Sequence, residues 1–151
     1  MQKLKFSRAL YVGKVMGTLL SNHISSMSRP MPEVLIPIPL HYWRLFRRGF
    51  NQAAEIAEVI SQRLEIPVDT DCYVRTKNTL AQTGLSKTHR VRNLTDAFTR
   101  RRQKRYRHVA LVDDVLTTGS TANALSKALR ADGVKLIEVW CFARAEVAPQ
   151  Q

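Results

Sequence analysis

Val-Ala-Leu-Val-Asp-Asp-Val-Leu-Thr-Thr-Gly-Ser-Thr, residues 109–121, is the stretch on which the reading of this chain turns. Four apolar residues, Val109 to Val112, make a buried strand that stops at two adjacent carboxylates, Asp113 and Asp114. A short loop of Leu116, Thr117, Thr118, Gly119, Ser120 and Thr121 then opens into a helical pattern beginning near Ala122. Backbone N–H groups at a helix start have no internal partner and carry partial positive charge, so they suit an anion. Gly119 lets the main chain approach that anion closely, and the neighbouring hydroxyls add donors. The acid pair, one step before the cradle, suits two vicinal sugar hydroxyls, with or without a divalent cation. A plain helix cap would use one Ser or Thr and needs no acid pair. Neither Gly-x-Gly-x-x-Gly nor Gly-x-x-x-x-Gly-Lys-Ser/Thr occurs in the chain. The segment reads as a sugar-phosphate site.

The flanking sequence alternates helix and strand. Val12, Val15, Met16, Leu19 and Leu20 form a helical stripe within residues 5–24, followed by a polar Ser21–Pro32 connector. Val34–Ile38 is a short apolar strand ended by Pro37 and Pro39. Asn51 caps a helix with Ala53, Ile56, Ala57, Ile60 and Leu64 on its core face, stopped by Pro67. Asp71–Arg75 is the next strand, residues 76–87 a loop, 86–93 a short helix and Ala97–Thr99 an edge segment. His108–Asp113 is the strongest strand, Ala122 to Leu129 a helix ending at Gly133, and Leu136–Ala143 the last strand. This pattern argues for an α/β fold, a parallel sheet with flanking helices and right-handed crossovers. Ligands in such sheets bind beyond the carboxyl ends of the strands, so Pro37–His41 and Asp113–Thr121 should share one rim. Residues 1–145 make one domain and 146–151 a polar, disordered tail.

With 151 residues and 44% hydrophobic content, the chain suits a single core. Cys72 and Cys141 are far apart without a Cys-x-x-Cys, as in a reduced, cytoplasmic protein. The best leader candidate, Ala9–Leu20, contains Lys14, and no apolar run approaches the ~20 residues of a membrane span, so no membrane partner is expected. Net charge is +12, and half of it falls on Arg100, Arg101, Arg102, Lys104, Arg105 and Arg107. Such a run is either a solvated, mobile connector or an electrostatic contact for nucleic acid or another polyanion. Tyr106 is the one aromatic within it, which supports a base-stacking surface poorly.

The Asp113–Thr121 combination resembles the phosphoribosyl-pyrophosphate (PRPP) signature of type I phosphoribosyltransferases. Val34–Leu40, then Arg44, then Arg47-Arg48-Gly49-Phe50-Asn51-Gln52, resembles the competence-related ComF/GntX family, as do Arg75, Thr79, Gln82, Leu85, Arg90, Asn93 and Phe98. Leu4-Lys5-Phe6 and the first helix also look like that family, so the resemblance spans nearly the whole chain. It implies the type I phosphoribosyltransferase fold. A nucleophile would attack C1 of PRPP as pyrophosphate leaves, and catalysis would consist of positioning ribose and stabilising the leaving group.

By this resemblance Leu116 to Thr121 hold the 5′-phosphate and Asp113 and Asp114 the ribose hydroxyls. Magnesium, Mg2+, is carried mainly by PRPP with no dedicated protein cage. The turn after Ile38 is the pyrophosphate loop, with Pro39, Arg44, Arg47 and Arg48, and a cis bond at Pro39 would give it an unusual geometry. Residues 76–96 match the family's lid, with Gly84 as hinge and Lys87 or Arg90 reaching the ligand. The resemblance also implies a link to DNA uptake or use, and a competence or DNA-uptake protein as partner. Members of the family often begin with a cysteine-rich zinc module. None precedes Met1, so the chain reads either as a short member or as one that has lost its front.

Thr117 stands where 6-oxopurine phosphoribosyltransferases carry an Asp that handles the base's proton. A hydroxyl is no general base at neutral pH, which argues against a hypoxanthine–guanine type of enzyme. His41 and His89 are the remaining candidates for a base, though a lone loop histidine is more often structural. The histidines and cysteines lack zinc-ligand spacing, and no Gly-x-Ser-x-Gly elbow is present. No segment clearly builds a nucleobase hood. Two readings therefore stand: a phosphoribosyltransferase with an unidentified acceptor, and a non-catalytic PRPP-sensing adaptor that binds nucleic acid or protein through its basic surface.

Overall fold

The computed structural model describes residues 2–40, 45–46, 49–76, 97–102 and 104–145, with side chains from Tyr11 onward. Helix α1 (Gln2–Ser25) leads into strand β1 (Val34–Pro37), and helix α2 (Gln52–Leu64) follows. Strands β2 (Tyr73–Arg75) and β3 (Phe98–Arg100) come next, then β4 (His108–Leu116), helix α3 (Ser120–Ala131) and β5 (Leu136–Arg144).

The main sheet is parallel, in the order β1-β4-β5, with Val34 opposite Val109 and His108 opposite Leu136. A further rung lies outside β1. Leu35 N–H donates to Pro67 O at 2.8 Å, and Asp69 N–H donates to Leu35 O at 2.9 Å, pairing Val68 with Leu35 in parallel. This rung was not expected: a single Val between Pro67 and Asp69 carries no strand period. The expected strand at Asp71–Arg75 and edge segment at Ala97–Thr99 pair with each other instead. They form a separate antiparallel ribbon in which Tyr73 faces Arg100 and Arg75 faces Phe98.

Strand alternation divides the core into two faces. Val34, Ile36, Val109 and Leu111 point to one side, where Leu125 and Leu129 of α3 and Tyr73 and Phe98 of the ribbon cover them. Leu35, Ala110, Val112 and Trp140 point to the other, under Ile56, Ala57 and Ile60 of α2 and Ile24 of α1. Both faces are buried at β1 and along Val109–Val112 of β4, which is why these two strands read as unbroken apolar runs, whereas β5 leaves Leu136, Val139 and Phe142 exposed.

Asn51 caps α2 through its side-chain oxygen, which accepts from Ala53 N–H at 3.1 Å. The helix ends because Glu65 turns left-handed, φ 57°, two residues ahead of the proline expected to stop it. Helix α1 runs farther than expected, to Ser25, and the Ser21 and Ser25 hydroxyls donate back to the Thr18 and Asn22 carbonyls at 2.9 Å each, which satisfies them within the helix. Its inward face also differs from the expected stripe. Met16, Leu20 and Ile24 pack inward, while Val12, Val15 and Leu19 are exposed. The reason is the close passage of α1 beside α2 at Gly13 and Gly17, where added Cβ atoms would stand 3.2 Å from Glu55 Cβ and 2.7 Å from Val59 Cβ.

Helix α3 closes with Gly133 at φ 95° and Val134 N–H donating to Leu129 O at 3.1 Å. Both cysteines are free thiols. Burial and then Asp69 push the Cys72 thiol up to about 12, as befits an inert core residue. Among the described residues no helix is long and apolar enough to cross a membrane.

Candidate functional site

The site is made where β4 outruns β1. The register ends with Pro37 opposite Val112, and Ile38 N–H donates to Val112 O at 2.9 Å. Beyond this point β4 is paired on one side only, so Asp113 and Asp114 stand beside the loop that leaves β1. The shared rim expected from topology is therefore present at this junction.

One expectation needs correction. The acid pair does not follow the strand but lies on it, because β4 continues to Leu116 alongside β5 and Ala145 N–H donates to Leu116 O at 3.0 Å. Leu116 thus packs its side chain against the core, and its carbonyl is committed to the sheet. The carboxylates accept main-chain donors locally: Asp114 N–H donates to Asp113 Oδ1 at 3.0 Å, and Val115 N–H to Asp114 Oδ1 at 2.8 Å. Burial, and then the neighbouring Asp114 charge, push the Asp113 carboxyl up to about 7, while Arg75 pulls in the opposite direction. Arg75 ends β2, and its guanidinium carbon lies 5.9 Å from the Phe98 ring centre. It was read only as a family-resemblance residue. Sequence spacing could not show that the ribbon brings it into electrostatic contact with Asp113.

Helix α3 begins at Ser120, two residues earlier than expected, with Gly119 as its N-cap at φ 70°, ψ 1°. No side chain caps it, and a Cβ added to Gly119 would meet nothing within 4 Å. Ser120 N–H donates to the Thr118 hydroxyl at 3.4 Å, so the N–H groups that follow it in the first turn are the ones that offer the local chemistry of an anion site. Thr118 Oγ1 donates to Ser120 Oγ at 3.0 Å, which keeps two hydroxyls together at the mouth of the helix. Thr117 and Thr118 are exposed, and Ser120 and Thr121 half-buried in the first turn.

On the opposite lip, the Ile38–Pro39 bond is trans, since no cis peptide occurs among the described residues. This overturns the cis expectation; trans is the lower-energy form of any X–Pro bond unless the surroundings impose the other. Asn51 does more than cap α2. Its Nδ2 donates to Ile38 O at 3.1 Å, tying the two ends of the 38–51 loop together. Arg44, Arg47 and Arg48 on that loop, and Lys87 and Arg90 with the rest of the expected lid, lie outside the described residues.

The basic run is not a free connector. Arg100 Nε and Nη2 donate to the carbonyls of Arg102 and Lys104 at 3.0 and 3.1 Å, and Nη1 pairs with Asp132 at 2.9 Å. Tyr106 donates to Asp69 Oδ2 at 2.8 Å, and its ring packs against the core.

No family model matches the chain. It is 42% identical over 151 residues to Competence protein F of Haemophilus influenzae, covering 95% of this chain and 66% of that protein. It is 35% identical over 146 residues to DNA utilization protein YhgH of Shigella flexneri, covering 94% of this chain and 64% of that protein. The chain thus spans just under two thirds of the length of these relatives. In fold it resembles the hypoxanthine phosphoribosyl transferase of Trypanosoma cruzi, with a TM-score of 0.51 over 94% of this chain and 76% of that one at 14% identity. The chain therefore belongs to the competence-related ComF/GntX family and is built on the type I phosphoribosyltransferase fold.

Proposed function

We propose that this chain binds PRPP at the Asp113–Thr121 rim and transfers its phosphoribosyl group to an acceptor, releasing pyrophosphate. One observation carries the reading: two carboxylates near the end of β4, where β1 no longer pairs with it, lead into a helix N-terminus whose N-cap, Gly119, is left-handed with nothing within 4 Å of where a Cβ would stand. The ribose hydroxyls would donate to Asp113 and Asp114, and the 5′-phosphate would accept from the N–H and hydroxyl groups of residues 117–121. Arg44, Arg47, Arg48 and the Pro39 turn would meet the pyrophosphate, with Lys87 and Arg90 reaching it from the lid segment. The acid pair offers hard oxygen atoms of the kind magnesium tolerates nearby, and the ion would travel largely on PRPP oxygens and water. When bound, it would neutralise charge on the departing pyrophosphate. The C1–oxygen bond to pyrophosphate breaks as a bond from C1 to the acceptor forms, and what the protein contributes is alignment and charge.

The names of the relatives, a competence protein and a DNA utilization protein, support a setting in DNA uptake or use, in which a protein of that apparatus would be the partner; the two free thiols fit a cytoplasmic location. A second reading, a PRPP-sensing adaptor without transfer, is favoured by the ordering of the Arg100–Arg107 surface, which suits a polyanion.

Calorimetry with Mg-PRPP tests the binding step. Asp113→Asn with Asp114→Asn should weaken binding by about 1.5–3 kcal/mol for each lost charge-assisted hydrogen bond. Equal affinity in the double variant would refute the ribose assignment. Release of pyrophosphate from PRPP across a panel of acceptors separates the enzyme from the sensor.

A further inference from the structure

The segment after β3 has a construction that its composition conceals. Six cations in eight residues should repel one another into an extended chain, yet this stretch is folded around one of them. The Arg100 guanidinium sits at the centre, donating to the carbonyls of residues 102 and 104 and pairing with Asp132 at the end of α3. A loop whose carbonyls turn inward to one guanidinium must turn other groups outward. Two anchors fix it to the body of the protein. Arg101 N–H donates to Cys72 O at 2.8 Å, and Arg107 N–H donates to Glu33 Oε2 at 2.8 Å.

Asp69 is the third support, and it is buried. Its Oδ1 accepts the Asp71 and Cys72 amides at 3.1 and 3.0 Å, and its Oδ2 takes the Tyr106 hydroxyl. Lys104 Nζ lies 3.5 Å from the same carboxylate, and Arg102 pairs with Asp71 at 3.3 Å. Arg100 is therefore structural, while Arg102 and Lys104 are partly neutralised. Arg101, Arg105 and Arg107 are exposed and make no ion pair among the described residues. Exposed Lys135 joins them, because its N–H donates to the Arg107 carbonyl at 2.9 Å.

We propose that Arg101, Arg105, Arg107 and Lys135 form a pre-ordered docking surface for the phosphodiester backbone of a nucleic acid, at the opposite end of β4 from the PRPP rim. The surface is sequence-blind. Tyr106, its only aromatic, is spent on Asp69 and the core and cannot stack on a base. Phosphate contacts therefore dominate affinity, and affinity falls with salt in proportion to the charges engaged. Pre-ordering matters because the loop entropy is already lost in the free protein.

The test is titration of the whole chain with fluorescent oligonucleotides, single-stranded and duplex, at several chloride concentrations. Replacing Arg101, Arg105, Arg107 and Lys135 by Gln should reduce the slope of log affinity against log salt by about three for single strands. Replacing Arg102 and Lys104 should reduce it by less than that number of charges implies. The melting temperature of the fourfold variant should not fall below that of the wild type, since none of these side chains holds the fold and removing four positive charges relieves repulsion. Mg-PRPP at saturation should leave oligonucleotide affinity unchanged. An unaltered slope in the fourfold variant overturns the proposal, and so does displacement of the oligonucleotide by PRPP, which would place the nucleic acid on the phosphate rim. Failure here leaves the PRPP assignment intact, because that assignment is read from the Asp113 and Asp114 variants.

Discussion

In the proposed site, Asp113 is the residue at which binding and stability would oppose each other. Its apolar surroundings and the adjacent Asp114 raise its folded pKa from 3.8 to about 7, so between these values the folded chain holds a proton that the unfolded chain has released. Stability then falls as pH rises across that window, because the native state binds more protons there. Asp113→Asn removes the titration. Melting curves between pH 4 and 8 should show a downward trend in the wild type that the variant lacks, and parallel curves would contradict it. Glu138 behaves in the opposite sense. Burial would raise its pKa, but the Trp140 indole, His108 and Arg29 outweigh this and lower it. Its contribution is present above its unfolded pKa and is lost as pH falls through the folded value. The acid pair was legible from the sequence because two carboxylates at the end of an apolar run have few structural uses. The Glu138 cluster was not legible, since Arg29, His108 and Trp140 meet only after β4 and β5 pair.

At the level of elements, the crossing of α1 and α2 sets the strictest steric condition in the fold. Gly-to-Ala in a helix interior normally gains about 1 kcal/mol from propensity. At Gly17 the new Cβ would lie 2.7 Å from Val59 Cβ and 3.0 Å from Ile56 O, and backbone cannot yield as a side-chain tip can. Overpacking of this kind costs roughly 1–3 kcal/mol, so the clash wins. At Gly13 the nearest atom is 3.2 Å away and is a side-chain carbon, so the two terms come close to cancelling. Urea denaturation should therefore find Gly17→Ala clearly destabilised and Gly13→Ala near neutral; the reverse order would mean that the helices separate without penalty. Strands β1 and β4 could be read directly, because burial on both faces makes Val34–Ile36 and Val109–Val112 continuously apolar, while β5 was legible from its largely apolar composition. The ribbon of β2 and β3 was read as two unrelated pieces, since three-residue strands joined across a long insertion carry no period. The inward face of α1 was misjudged for a different reason. An apolar count favours Val12, Val15 and Leu19, whereas close approach selects the glycines.

For the molecule as a whole, the dominant global quantity is charge. A net +12 on 151 residues implies appreciable self-repulsion at low ionic strength. Chloride screens exposed charges within about 10 Å at 0.1 M. It also weakens the surface pair Arg102–Asp71, but an exposed pair contributes little, about 0–1 kcal/mol. Repulsion among the excess cations should prevail, and the melting temperature should rise as sodium chloride increases from low concentration. A fall would show that the carboxylate anchors of the basic run matter more than the surplus charge.

Strand β4 runs from the end of the basic segment to the acid pair. Asp113 lies six residue steps beyond Arg107, roughly 20 Å at ~3.3 Å per residue along the strand. A nucleotide resting on Arg107 is therefore far beyond bonding distance of a sugar carbon held at Asp113. In the proposed reaction, whatever receives the phosphoribosyl group would therefore be a separate molecule or a distant part of a long strand. The chain would grip a polymer with one end and handle a small, activated sugar with the other, and the two tasks could be inherited, lost or inhibited one at a time.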